Sequence, residues 1–112
     1  MTKQIGSLEQ LLMFAVLRLG DEAHGIGLRR ELERVTGRRI SSGAVYTTME
    51  RLERHGFADS SIGDEARPRG GRPRRYYRLT PEGARALAES YDGVADLARG
   101  VLPKLRRLAE QK

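Results

Sequence analysis

Apolar residues recur at helical spacing through most of this chain, and the pattern switches to alternation in one stretch only. Leu8, Leu11, Leu12, Ala15, Val16 and Leu19 mark one face of a first helix, the spacing of an amphipathic segment. Ser7 is placed to cap it, with Gln10 three residues on to close a capping box, and Gly20 stops it. After a short turn, a second helix begins at Gly25 or Ile26. It buries Leu28, Leu32 and Val35, turns Arg29, Arg30, Glu33 and Arg34 to water, and ends at Gly37. Ile40 seals the next loop onto the core. Ser41 then suits the N-cap of a third helix over residues 42–55. Val45, Met49 and Leu52 form its buried stripe, Ser42, Gly43, Thr47, Arg51 and Arg54 its opposite face, and Gly56 its stop.

Residues 57–62 and 74–79 read as two short strands, with Tyr77 and Leu79 inward and Tyr76 and Arg78 outward. The Gly-, Pro- and Arg-rich stretch between them is longer than a tight turn and makes a basic wing. Thr80 caps a last helix with Pro81 at its first position. Ala84, Leu87, Tyr91, Val94, Ala98, Val101, Leu105 and Leu108 follow in alternating steps of three and four, as in a two-helix seam. Unbroken from Pro81 to Leu108, this helix measures about 42 Å. Its stripe needs cover. A second copy of the chain is the simplest partner; the alternative is a helix folded back on the Leu8–Leu19 helix. Gly93 and Gly100 lower helix propensity, and Pro103 kinks the helix or ends its regular part near Leu102. The expected fold is mainly α with a small β-wing: a winged helix-turn-helix over residues 1–80 plus a long C-terminal dimerisation helix over 81–112.

Composition narrows the function. The 112 residues allow one modest core. There is no cysteine, hence no disulfide scaffold or thiolate chemistry. No apolar run reaches the length of a membrane span, and the N-terminus lacks a signal core, so a cytoplasmic location is expected. The net charge is +6, and 18 of the 21 basic residues are arginines, whose rigid forks suit phosphate and guanine. Arg67, Arg69, Arg72, Arg74, Arg75 and Arg78 fall within twelve residues free of acids. A solvated loop in an arginine-rich chain is the plainer explanation of that cluster alone. Catalysis has little support: His24 and His55 have no metal-ligand spacing partner, and Glu50 with Arg54 and Glu53 reads as ordinary helix-face charge. Gly70-Gly71-Arg72-Pro73 lies in a loop rather than between a strand and a helix, so it is no phosphate cradle. No catalytic group, metal or cofactor is expected.

Helices two and three form a helix-turn-helix across residues 37–40, and double-stranded DNA is the expected partner. Helix three enters the major groove, with Thr47 at base edges and Arg51 on a guanine or a phosphate. The helix start at Ser41, Ser42 and Gly43 meets a phosphate through its amides. Tyr46 either props the helix from its flank or contacts a phosphate through its hydroxyl. Arg69, Arg72, Arg74 and Arg75 grip the backbone or probe the flanking minor groove. Leu87, Tyr91, Val94, Ala98, Val101 and Leu105 form the homodimer seam. The rival readings are a winged-helix protein-interaction adaptor and an architectural DNA binder without a defined operator.

Four strings resemble the PadR family of bacterial transcriptional regulators. They are His24-Gly25; Ser41-Ser42-Gly43-Ala44-Val45-Tyr46; Arg51-Leu52-Glu53 with Gly56-Phe57; and Arg75-Tyr76-Tyr77-Arg78-Leu79-Thr80-Pro81-Glu82-Gly83. The resemblance runs over roughly residues 8–108. It implies a homodimeric repressor on a pseudo-palindromic operator, with the helix bearing Tyr46 in the major groove and the Arg75–Thr80 string as the returning wing strand. It also implies release by a small hydrophobic effector. Ile26 and Ser42 depart from the residues common at those positions, and there is no tryptophan for a flat-ligand sandwich.

Overall fold

The computed structural model describes residues 4–63 and 74–112. Helix α1 (Ser7–Leu19), a 3-10 turn (Gly20–Glu22), α2 (Gly25–Thr36) and α3 (Ser42–Arg54) precede β1 (Ala58–Ile62) and β2 (Arg75–Leu79). Helices α4 (Pro81–Ala98) and α5 (Leu102–Ala109) complete the order. This is the expected mainly α architecture with a small β-wing and a long C-terminal helical region.

The caps show why the helices start where they do. Gly6, not Ser7, is the N-cap of α1, and Ser7 already lies in the helix. The box is closed by Glu9, whose carboxylate accepts the Gly6 amide at 2.8 Å; Gln10 instead reaches across to donate to Ser90 on α4 at 3.2 Å. Nδ1 of His24 accepts the Gly27 amide at 3.2 Å and so caps α2. Gly37, at φ 73°, closes α2 in the left-handed conformation that glycine adopts without penalty. Ser41 caps α3 by accepting the Ala44 amide at 3.0 Å. Thr80 Oγ1 accepts the Gly83 amide at 3.0 Å and donates to the Gly56 carbonyl at 2.6 Å. One hydroxyl thus caps α4 and ties it to the end of α3.

Leu12, Met13, Leu28, Val45, Met49 and Leu52 are fully buried where α1, α2 and α3 meet. The stripe expected on α2 is only partly buried. Val35 is 53% exposed, because the last turn of α2 overhangs an apolar groove against Leu11 and Phe14 of α1. The two strands pair antiparallel, with Ala58 opposite Leu79, Ser60 opposite Tyr77 and Ile62 opposite Arg75. Tyr77 is buried against the helices and its amide bonds the Ala23 carbonyl at 2.9 Å. Tyr76, expected outward, is half-covered: its ring stands edge-on to His24 at 5.7 Å.

The C-terminal region departs most from expectation. A single 42 Å helix does not form. Arg99 is extended, Gly100 turns left-handed at φ 82°, and a separate eight-residue helix follows. The proline is not the breaker. Pro103 lies in the first turn of α5, where its missing N–H has no acceptor to lose. The fold-back alternative holds for the first half of α4 only. Ala86 and Leu87 are buried, and Tyr91 stacks edge-on against Phe14 of α1 at 5.6 Å. The change in packing falls near Tyr91, not at Pro81.

Candidate nucleic-acid interface

Helix α3 turns its apolar stripe into the core through Val45, Thr48, Met49 and Leu52. That rotation leaves Ser41, Ser42, Gly43, Tyr46, Thr47, Arg51 and Arg54 exposed. Small side chains occupy the first turn and arginines the later turns, so the helix start can approach a groove closely while cations meet its walls. Ser42 and Gly43 sit in the exposed first turn, where helix amides have no intrahelical acceptor and carry partial positive charge. Among the described residues, none of Arg38, Arg39, Arg51 and Arg54 is paired with a carboxylate.

The flank of α3 and the inner edge of the wing enclose a cleft lined by Tyr46, Glu50, Glu53, Arg54, Arg75 and Tyr77. Tyr46 is 57% exposed at this flank, a position compatible with both roles expected of it. Glu53 is not an ordinary helix-face charge: its carboxylate accepts the Ser60 hydroxyl at 3.0 Å. Nη1 of Arg75 donates to the same Ser60 oxygen at 2.8 Å. Burial, and then the charge of Glu53, pushes the Tyr77 phenol above its ordinary range. Arg74 is exposed just before β2 at the outer end of the strand pair, where its carbonyl accepts the Gly63 amide at 2.9 Å. Arg69 and Arg72 lie outside the described residues. Arg78 projects from the opposite sheet face, 3.9 Å from Asp59.

The candidate seam residues divide. Leu87 is 3% exposed and belongs to the core of its own chain, a correction to its place on the dimer face. Ala98 is half-buried, while Tyr91, Val94, Val101 and Leu105 are exposed. Leu97, at 85% exposed, and Leu102 share this open region and were missed by the heptad pattern. The signal was there: Leu97 lies three residues after Val94, on the side a fold-back helix leaves open. Both histidines pack locally, His24 as a cap and His55 edge-on to Phe57 at 6.0 Å. No group of three metal-ligating side chains occurs among the described residues, and none of their helices is long and apolar enough to cross a membrane.

An exposed third helix behind a short turn, bearing exposed arginines and flanked by a two-stranded wing, defines a winged helix-turn-helix DNA-binding protein. Residues 13–89 match the model of the transcriptional regulator PadR-like family. The chain belongs to that family, whose members are DNA-binding regulators of transcription and not enzymes. It is 45% identical over 82 residues to Transcriptional regulator Rv3488 of Mycobacterium tuberculosis, spanning 73% of this chain and 72% of that one. A PadR family regulator from Eggerthella lenta is 32% identical with a TM-score of 0.65, covering 94% of this chain and 88% of its own. A transcriptional regulator from Clostridium thermocellum shares the fold, with a TM-score of 0.68 over 87% of each chain at 24% identity.

Proposed function

We propose that this regulator is a repressor that binds a pseudo-palindromic operator as a homodimer. The observation that carries the reading is the run of exposed apolar side chains Val94, Leu97, Val101, Leu102, Leu105 and Leu108, from the end of α4 into α5, on a chain whose head presents a DNA-binding helix. Exposed leucines and valines in such number mark an interface on a soluble domain, and a second copy of the same face makes a closed two-fold pair. Tyr91 and Ala98 border that seam. Two heads held at its ends place successive α3 helices about 34 Å apart, one turn of duplex.

In each head Ser41, Ser42 and Gly43 receive a phosphate, Thr47 faces base edges, and Arg51 takes a guanine or phosphate. Tyr46 supports the flank, and Arg69, Arg72 and Arg74 follow the backbone beside the flanking minor groove. A small hydrophobic effector binding at the seam changes the head spacing and releases the operator.

The test is selection of binding sites from a random DNA pool, followed by titration of the winning duplex at two salt concentrations with the mass of the complex measured. The expected result is an inverted repeat bound by two chains. Binding without a motif, lost at moderate salt, rejects the operator reading and favours an architectural or adaptor role.

A further inference from the structure

Arg75 sits on the wing, where a cation is expected to hold a phosphate, yet its side chain is committed elsewhere. Alternation along β2 places it on the same sheet face as Tyr77, and both line the cleft beside α3. Its Nη1–H donates to Ser60 Oγ on β1 at 2.8 Å, and the Ser60 hydroxyl donates to Glu53 Oε2 on α3 at 3.0 Å. Arginine can only donate and an ionised carboxylate can only accept, so the serine hydroxyl must take the middle place with its proton toward Glu53.

The position of this chain of bonds matters. A two-stranded sheet is marginal by itself. Its apolar hold on the head comes from Ala58, Tyr77 and Leu79 at the base of the strands, while Ile62 further out is 49% exposed. Beyond Tyr77, among the described residues, the Glu53–Ser60–Arg75 chain is a side-chain link from both strands to the last turns of the recognition helix.

We propose that Arg75, Ser60 and Glu53 are positioning residues that fix the wing relative to α3, and that Arg75 acts through Ser60 and not by holding a DNA phosphate. The proposal rests on the DNA-binding reading of the head. With the angle set in advance, helix and wing meet adjacent grooves without an ordering step on the DNA. Glu53, one hydroxyl away from Arg75, also works against a phosphate approaching that end of the guanidinium.

The experiment uses the full chain and its selected duplex, with affinity measured over a range of salt for Ser60→Ala, Arg75→Ala, the double variant and Ser60→Thr. Ser60→Ala removes no charge, and is expected to weaken binding about fivefold, the worth of one modest hydrogen bond, with the salt slope unchanged. Arg75→Ala is expected to do the same, and the double variant to be no weaker than either, as for members of one network. Ser60→Thr keeps the hydroxyl and is expected to bind as wild type. Melting temperatures check that each variant is folded. A salt slope reduced by about one in Arg75→Ala makes that residue a phosphate contact and overturns the proposal. Wild-type affinity in Ser60→Ala overturns it as well. A wild-type protein that selects no motif removes the DNA reading itself; one that binds its motif while Ser60→Ala is silent removes only the positioning role.

Discussion

The two halves of the C-terminal helical region carry the same kind of apolar spacing and meet opposite fates. Ala86 and Leu87 are buried against the rest of the head, whereas Val94, Leu97, Val101, Leu102, Leu105 and Leu108 stand open. Nothing in the spacing distinguishes them. What differs is reach: Gln10 and Phe14 of α1 still meet Ser90 and Tyr91, and α4 then runs past the end of its support. An apolar stripe therefore reports that a surface is to be covered, not by which chain. Here the cover by the chain itself ends near Tyr91, and the proposed dimer is what would cover the rest.

The largest effect expected from this division is at Leu87. Leu87→Ala should cost about 3 kcal/mol of head stability, the usual range for a fully buried leucine. The comparison is cleanest in a background where association contributes less, and Leu97→Glu at low protein concentration supplies it. That second variant should leave the head folded and weaken the dimer by about 2 kcal/mol, as for a central contact of an interface. Sedimentation reads the dimer and thermal melting reads the head. If Leu97→Glu remains dimeric, the interface lies elsewhere; if Leu87→Ala melts like wild type, the first half of α4 is not part of the core.

Much of the head could be read from local chemistry. The caps at Ser41 and Thr80 and the stops at Gly37 and Gly56 lie within one turn of the helix ends they define. The exposed face of α3 follows directly from its buried stripe. The string Thr80-Pro81-Glu82-Gly83 also has a local physical reason, since a Cβ on Gly83 would fall on the Phe57 carbonyl. What could not be read was the choice among equivalent local options. Gly6 with Glu9 competes with Ser7 and Gln10 for the start of α1. Gly93, Gly100 and Pro103 are all able to interrupt the last helix, and only Gly100 does. The Glu53–Ser60–Arg75 chain joins three elements, so it depends on the strand register and on how the sheet sits against α3. Neither is a property of any one segment.

The smallest expected effect belongs to a contact wholly inside the head. Glu31 on α2 accepts from Arg18 of α1 at 2.7 Å and from Arg34 at 2.8 Å. The Arg34 bond, then the Arg18 bond, lowers its carboxyl pKa from 4.5 to about 2. A folded-state pKa below the unfolded value means that the pair adds stability above the unfolded value, here about 4.5, and that this is lost as pH falls toward about 2. Within this range the group that titrates is the Glu31 carboxyl. The gain is modest because both arginines are largely exposed and solvent screens such pairs. The measurement is the pH dependence of melting for wild type and Glu31→Gln, both in the Leu97→Glu background. The two curves should run parallel above pH 4.5 and converge between there and about pH 2. A constant separation down to the lowest pH would mean that the Arg18–Glu31–Arg34 cluster does not couple α1 to α2 through charge. The packing of α1 on α2 would then rest on apolar contacts such as Leu12 with Leu28 and Leu32 rather than on charge, which would make the contrast of the head with the uncovered tail sharper still.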